Sequence, residues 1–454
     1  TTGLLPKQAH GTKVGGDAGE AQVLRRYALA TFFFATSERG PWSEQWNFLS
    51  PDLHECSWHH NITLDATDDS PFAVLLERFP FAGFSPVGFI CLHPERSLEI
   101  MLSDEETEIG HTALHLNTLW FDAINLTGTL PPEIGYLEDL TAIMMQDDQS
   151  GLRGTIPSTI GNLANLQSIT FFQPGPNFGG TIPSSLFALP SLQYLSVLDL
   201  LSKSVWEFPS TIESAQENNI KGIRIGNAII SGTIPSYISE FTSLQQLALG
   251  GNRLEGTIPD VFGNLTSLEY LNLGRNKLTG TLPPSLGKLS NLTFMALGKN
   301  NFHGQLPMWL GGLNRLRLLD LGDNKFEGTI PTAFSQLSSL EHVSLQNNNL
   351  NGSISALESL DRLSIVDVSS NSFSSTIPEG LFANAGDEIF ADFGHNDFIG
   401  KLPETFSQRA SNISESVHII ALDCCCLLLY LKSPYATTYL DLRLSGDYAE
   451  QFGC

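Results

Sequence analysis

Residues 268–283 read LEYLNLGRNKLTGTLP. Leu271 and Leu273 are separated by one residue, so a short β-strand places both side chains on the same side. Asn276 follows this strand, and Gly280 follows the asparagine. One such strand cannot bury its apolar side alone, because no second layer exists within so short a stretch. The pattern therefore predicts a unit that recurs along the chain and stacks on its neighbours.

The pattern does recur, and its spacing predicts the fold. Its Gly-x-(Ile/Leu)-Pro ending, or a degenerate copy in register, begins at Gly128, Gly154, Gly180, Trp206, Gly232, Gly256, Gly280, Gly304, Gly328, Gly352, Ser375 and Gly400. The full consensus, L-x-x-L-x-L-x-x-N-x-L-x-G-x-I-P, resembles the plant-like leucine-rich repeat. We therefore predict an α/β repeat fold, a right-handed solenoid curved like a horseshoe. A parallel sheet would form its concave face, and short 3-10 or extended segments would form its convex face.

An asparagine column divides the repeats into two groups. It comprises Asn252, Asn276, Asn300, Asn324, Asn348, Asn371 and Asn396. These amides are expected to satisfy backbone groups where the chain turns inside the core, since unpaired buried donors are costly. The five earlier positions hold Ile124, Asp148, Pro174, Leu200 and Ala228. Within repeats spanning 114–415, we therefore expect an irregular part over 114–230 and a regular part over 231–415. Drift and a specialised binding segment both remain open as explanations for the irregular part.

The two ends differ from the repeats. Residues 1–20 are rich in Gly, Thr and Ala, and they predict a flexible lead-in. Within 21–113, the helical spacing of Leu24, Tyr27 and Phe34 predicts a capping helix. Residues 416–454 are expected to form a C-terminal cap. Confinement of the six cysteines to the two ends indicates caps in an oxidising compartment.

The N-terminal stretch resembles a known family. Residues 26–31, Trp46 and residues 55–58 (ECSW) are similar to the N-terminal cap of leucine-rich-repeat receptor-like proteins, most closely the diatom type. The resemblance extends from about residue 22 to 415. It implies an extracellular or cell-surface ectodomain whose concave sheet binds a ligand, and a disulfide between Cys56 and Cys91. No kinase domain accompanies the repeats, so signalling would require a partner such as a co-receptor. The pairing of Cys424, Cys425, Cys426 and Cys454 stays open.

Composition excludes several classes of partner. The chain has 48 acidic and 24 basic residues, a formal net charge of −24, which repels nucleic acid and anionic lipid surfaces. The longest apolar run, 419–431, contains an aspartate and is shorter than the ~20 residues of a spanning helix. A membrane anchor would therefore lie outside this segment. Glycosylation sequons begin at Asn61, Asn125, Asn264, Asn291, Asn351 and Asn412, which favours the secretory pathway.

No motif in the sequence predicts catalysis. Residues 392–394 (DFG) match a kinase metal-binding tripeptide, but Phe393 occupies a leucine position of the repeat and the other kinase motifs are missing. The metal-like group His54, Cys56, His59 and His60 lacks the second ligand pair of a zinc site. We therefore predict a protein that is not an enzyme and holds no cofactor or metal.

The concave face is the predicted binding site. The residues just before the second leucine of the strand form one column, and the next outward positions form another. From these columns we predict ligand-binding roles for Trp120, Phe172, Tyr194, Tyr270, Phe294, Asp320, His342, Asp367, Phe390 and Asp392. An apolar stripe flanked by carboxylates suits a protein or peptide ligand. The alternative is that these side chains pack sideways on neighbouring strands.

Three functions compete at this stage. The leading hypothesis is a non-enzymatic recognition module, a receptor-like ectodomain that binds a protein or peptide. The second is a secreted inhibitor of cell-wall-degrading enzymes, like the plant polygalacturonase inhibitors, which share this repeat. The third is a structural protein of the cell wall or matrix, in which the acidic surface would gather cations.

Overall fold

The computed structural model describes residues 88–92, 115–122, 127–146, 151–174, 177–198, 205–212, 219–385, 388–400, 403 and 416–420. The chain divides into two compact units, Thr1–Ser231 (unit 1) and Gly232–Cys454 (unit 2). The flexible lead-in, the capping helix, the metal-like group around Cys56 and the four C-terminal cysteines lie outside the described residues. So do the sequons at Asn61, Asn125 and Asn412.

The described part of unit 1 contains long strands, which pair side by side into one sheet, and shorter strands that lie outside it. The strands are β1 (Gly88–Leu92), β2 (His115–Asp122), β3 (Thr127–Gly128), β4 (Ala142–Gln146), β5 (Gly151–Gly154), β6 (Ser168–Phe172), β7 (Asn177–Phe178), β8 (Gly180–Thr181), β9 (Tyr194–Leu198), β10 (Trp206–Glu207) and β11 (Gly222–Gly226). β2, β4, β6, β9 and β11 pair in parallel in that order, and β1 pairs antiparallel with β2. Short 3-10 helices follow the small strands at Pro132–Tyr136, Ser158–Asn162 and Ser184–Ala188.

Unit 2 repeats the arrangement with shorter strands. They are β12 (Ser231–Thr233, at the boundary), β13 (Gln246–Ala248), β14 (Arg253–Gly256), β15 (Tyr270–Asn272), β16 (Lys277–Gly280), β17 (Phe294–Ala296), β18 (Asn301–Gln305), β19 (Leu318–Asp320), β20 (Lys325–Thr329), β21 (His342–Ser344), β22 (Asn349–Gly352), β23 (Ile365–Asp367), β24 (Ser372–Phe373), β25 (Glu388–Asp392) and β26 (Ser416–Ile420). The odd-numbered strands from β13 to β25, followed by β26, form the main parallel sheet. The even-numbered strands from β12 to β24 line up along the other side of the core.

Prolines explain the segments between the two sides of unit 2. The 3-10 helices are Ser236–Glu240, Asp260–Asn264, Pro284–Lys288, Met308–Gly312, Thr332–Gln336 and Ser355–Leu357. The first five have five residues each and follow a proline whose φ lies between −59° and −77°. The sixth follows Ile354 and has only three residues. A proline therefore accompanies each full-length turn, since its fixed φ suits the start of a helix. Within the described residues, no helix is both long and apolar enough to cross a bilayer.

The glycine of the consensus is required for two reasons. Gly280 has φ +87°, in the left-handed region that side chains disfavour. A Cβ at this position would also lie 2.8 Å from Cγ2 of Thr257 in the preceding repeat. The corner where β16 ends therefore needs a residue without a side chain, as the Gly-x-Ile-Pro signature predicts.

The asparagine column performs the predicted role in unit 2. Asn300 Nδ2 donates to the carbonyl oxygens of Leu297 (2.9 Å) and Leu273 (3.0 Å). Its Oδ1 accepts from the backbone N–H of Leu278 at 2.9 Å. The equivalent contacts recur at Asn276, Asn324, Asn348, Asn371 and Asn396. Each amide therefore joins its own turn to the preceding repeat.

Candidate binding surface

The outward side of the unit 2 main sheet, here called the sheet face, presents a line of mostly apolar side chains. This apolar column consists of Tyr270, Phe294, Leu318, His342, Ile365 and Phe390, which stand opposite one another in the strand register. All six side chains are half-buried, whereas the residues that follow them in the strands, such as Leu271 and Leu319, have no exposed surface. The register therefore brings together the unit 2 residues that the sequence assigned to this column.

Two members of the column form an aromatic pair. The rings of Tyr270 and Phe294 lie 4.2 Å apart, centroid to centroid, with planes tilted by only 11°. These two side chains do pack sideways, as the alternative reading of the stripe expected. Both nevertheless remain half-exposed, so the stacked pair presents a firm apolar surface to solvent.

His342 extends this apolar surface. It stands between Leu318 and Ile365 on the neighbouring strands and is half-buried. Burial lowers the pKa of the His342 imidazole below its ordinary value. Near neutral pH the ring is therefore uncharged and compatible with its apolar neighbours.

A second column, two residues further along the strands, carries carboxylates. This acidic column consists of Asp320, Asp367 and Asp392. Asp367 and Asp392 stand on adjacent strands, and Asp320 lies two strands before Asp367. Each carboxylate accepts a hydrogen bond from the N–H two residues later, at 3.0, 3.1 and 2.9 Å, respectively. Asp392 is only 8% exposed, so it offers a ligand less surface than the sequence suggested.

Asp320 is held in a specific position by its neighbours. A Cβ at Gly298, on the preceding repeat, would lie 2.6 Å from both of its carboxylate oxygens, so only glycine leaves room for this side chain. Burial raises the pKa of Asp320, the hydrogen bond from Gly322 lowers it, and the carboxylate of Asp323 raises it again. Lys299 and Asp367 exert smaller lowering and raising effects on this pKa.

A glycine stands two residues after the end of several main-sheet strands in unit 2, as at Gly274, Gly298 and Gly322. At Gly298, the structure adds that the missing side chain is the space occupied by Asp320. The sequence signal was present, since Gly298 lies two residues after Ala296, the residue that pairs with Asp320. The contact itself could not be predicted from the sequence. Whether the Asp320 side chain extends over the neighbouring strand is decided by packing between repeats.

Charges at the strand exits change sign along unit 2. Arg275 and Lys299 are exposed, and Asp323 occupies the same position one repeat later. All three adopt a left-handed backbone, with φ of 56°, 58° and 54°. Asn347 Nδ2 donates to Asp323 Oδ1 at 2.6 Å. The exits from β15 and β17 are therefore basic, whereas β19 and β23 end in carboxylates.

Unit 1 contains the three remaining candidate residues. Trp120 lies on β2 opposite Met144. Phe172 ends β6 and is half-buried. Tyr194 begins β9, and its ring covers Gly222, where a Cβ would lie 2.8 Å from Cδ1 of the ring. Within unit 1 these residues occupy three different register positions rather than one column.

Three predicted glycosylation sites lie in described parts of unit 2. Asn264 and Asn351 are exposed. Asn291 is half-buried, and its Nδ2 donates to Thr266 O at 2.9 Å while its Oδ1 accepts from Arg315 at 2.8 Å. A glycan is attached at Nδ2, so Asn291 is the least accessible of the three acceptors.

No three metal-ligating side chains (His, Cys, Asp or Glu) come together anywhere in the described ranges in a way that could hold an ion. The acidic column in unit 2 does not form such a group. Its carboxylates are spaced along a sheet and bonded to backbone N–H groups. Their geometry suits contact with an extended partner rather than enclosure of an ion.

Comparison with known proteins supports this fold. The family model described as "Leucine rich repeat" matches residues 242–302, 290–350 and 314–373. No curated protein sequence matches the chain.

Two solved receptor structures are similar to the chain. One is described as the crystal structure of a TDR receptor, with 27% identity, 67% of this chain and 60% of that chain covered, and a TM-score of 0.52. The other is the ectodomain of the Arabidopsis receptor kinase HAESA in complex with an N-terminally extended IDA peptide hormone. For that structure identity is 25%, coverage is 68% of this chain and 57% of that chain, and the TM-score is 0.51. The chain thus spans less than two thirds of either receptor. Its fold is a leucine-rich-repeat solenoid, similar to the folds of these two receptors.

Proposed function

We propose that this chain is a non-enzymatic extracellular recognition module, a receptor-like ectodomain that binds a peptide or protein on the sheet face of unit 2. One observation carries the proposal. The stacked rings of Tyr270 and Phe294 remain half-exposed at the head of an apolar column, beside oriented carboxylates. Apolar and aromatic side chains with a polar margin are typical of protein recognition surfaces.

The similar solved structures support this choice among the three initial hypotheses. Both are receptors, and one is the ectodomain of an Arabidopsis receptor kinase with a bound peptide hormone. They favour a ligand-binding ectodomain over an inhibitor of cell-wall-degrading enzymes or a structural wall protein. Signalling by such an ectodomain would need a co-receptor or an additional domain.

An extracellular location belongs to the same proposal. It rests on the sequons, on the confinement of the cysteines to the two ends, and on the resemblance of residues 26–31, Trp46 and residues 55–58 to diatom-type receptor-like proteins. The same proposal includes a disulfide between Cys56 and Cys91. Of the sequons in described residues, we expect Asn264 and Asn351 to carry glycans more fully than Asn291, whose amide is already engaged.

Substitution of Phe294 by aspartate tests the proposed surface. The charge would stand within the apolar column and break the stack with Tyr270, so capture of peptides and proteins from culture medium should fall at least tenfold. Quantitative mass spectrometry of material captured by the immobilised chain measures this. Met308→Asp is the matched control, because Met308 is 68% exposed on a 3-10 helix of the same unit. Equal capture by wild type and both variants would contradict the proposal.

A further inference from the structure

We propose that the ligand of the sheet face is an extended peptide segment in which a cationic side chain stands two residues from an aromatic or branched aliphatic one. This inference rests on the proposed function and adds the chemistry and spacing of the ligand. The apolar member would pack on the Tyr270–Phe294 pair, and the cation would pair with Asp320.

The spacing follows from the strand register. Phe294 begins β17 and Ala296 ends it, and Asp320 stands beside Ala296 on β19. Adjacent strands lie about 4.8 Å apart and alternate residues of one strand about 6.8 Å apart, so the Cα atoms of Phe294 and Asp320 are separated by roughly 8 Å. The Asp320 carboxylate extends from there over Gly298, and the long side chain of a lysine or arginine can span the added distance. Side chains at i and i+2 of an extended peptide project to the same side at roughly 7 Å. Such a peptide can therefore reach both groups without bending.

The charge of the ligand follows from the surroundings of Asp320. Its Oδ1 accepts from the Gly322 N–H at 3.0 Å, and in the described residues no hydrogen bond reaches its Oδ2. Lys299 is near enough to affect this carboxylate, yet among the described residues the two form no ion pair within 4.0 Å. The carboxylates of Asp323 and Asp367 add to the negative potential. A cationic donor would relieve this repulsion, whereas an anionic ligand would increase it.

The Asp320 side chain is also preorganised before any ligand binds. Gly298 leaves the space that both of its oxygens occupy, and the Gly322 N–H orients one of them. A ligand therefore need not immobilise this side chain, which lowers the entropic cost of binding. With a chain net charge of −24, long-range attraction also favours the approach of a basic peptide.

Selection from a phage library of random twelve-residue peptides tests this inference. Wild type and Phe294→Asp are screened in parallel, with the fold of the variant checked by circular dichroism. We expect peptides that depend on Phe294 to be enriched in Arg or Lys two residues before or after an aromatic or aliphatic residue. Peptides that depend on Phe294 but lack the cation would overturn this inference and leave the proposed function standing. If no enriched peptide depends on Phe294, both fail.

Calorimetry on one enriched synthetic peptide isolates the role of the carboxylate. Asp320→Asn keeps the size of the side chain and an oxygen for Gly322 but removes the charge, so affinity should fall about tenfold or more. Glu327→Gln is the control: Glu327 is exposed on β20 in the same repeat, on the opposite side of the core, and its loss changes net charge equally. Equal affinities for wild type, Asp320→Asn and Glu327→Gln would overturn the assignment.

Discussion

The two units end their strands in different ways. In unit 2 most strands of the main sheet have three residues, and an asparagine amide bonds the turn that follows. In unit 1, β4, β6, β9 and β11 each have five residues, and two of the asparagine positions hold the buried Pro174 and Ala228. Neither residue has a side-chain amide to donate. Longer strands thus accompany the loss of the asparagine column in these repeats of unit 1.

Aromatic packing is the second difference. In unit 1, Phe178 lies 5.1 Å from Phe171 and 5.6 Å from Trp206, measured between ring centroids. All three side chains have no exposed surface. Trp206 stands where the consensus has its glycine, and β10 pairs it with Gly180. The comparison teaches that one repeat pattern can be stabilised either by a polar column or by bulky apolar side chains.

Removal of the largest buried aromatic side chain of unit 1 should have the largest effect. Trp206→Ala would leave a large cavity beside Phe178 and should lower the free energy of unfolding of unit 1 by about 4 kcal/mol. Urea denaturation followed by circular dichroism measures this. Trp206→Phe should cost much less, because the indole Nε1 has no hydrogen-bond partner in the described residues. If both variants lose the same stability, packing of the ring is not what stabilises this repeat.

Loss of one amide from the asparagine column should rank second. Asn324 Nδ2 donates to three carbonyls, those of Leu297, Leu321 and Gly322, and its Oδ1 accepts from Phe302 N–H. Asn324→Ala would leave buried backbone groups unpaired and should lower the free energy of unfolding of unit 2 by about 3 kcal/mol. Asn349→Ala, at an exposed position on β22, is the matched control. Equal urea midpoints for the two variants would refute the assigned role of the column.

The smallest expected effect is on the pH dependence of stability. It arises from the carboxylate of Asp320, at the end of β19 in unit 2. Burial raises the pKa of Asp320 in the folded chain above its unfolded value, so ionisation is penalised in the folded state. That penalty is absent at low pH, grows as pH rises from the unfolded pKa to the folded pKa, and is complete above the latter. Asp320→Asn should therefore be slightly more stable than wild type at neutral pH.

The difference in stability between wild type and Asp320→Asn should vanish when the pH falls below the unfolded pKa. Thermal melts of both chains across the acidic range measure this. Glu327→Gln again serves as the control, since its exposed position predicts no comparable change. A stabilisation by Asp320→Asn that persists unchanged at low pH would show that removal of the charge is not its cause.

Much of the fold was predictable from spacing. The alternation at Leu271 and Leu273 predicts the strand, and Gly280 and Pro283 predict the corner and the start of a 3-10 helix. The apolar column was equally predictable in membership, because residues 23 to 25 positions apart share a register. The spacing did not predict how far each side chain of a column is buried. Asp392 is nearly covered although it shares the column of Asp320 and Asp367, which are half-exposed.

The sequence by itself determined the period of this protein, the identity of the column residues and the positions that must be glycine or asparagine. These depend on local geometry and on a pattern whose recurrence along the chain reveals the repeat. Only the tertiary structure decided that Tyr270 stacks on Phe294, that Asp320 occupies the space above Gly298, and that Trp206 packs into the core. The physical reason is that such contacts join neighbouring repeats. Side-chain direction between repeats is set by close packing, which the order of residues along one chain segment does not specify.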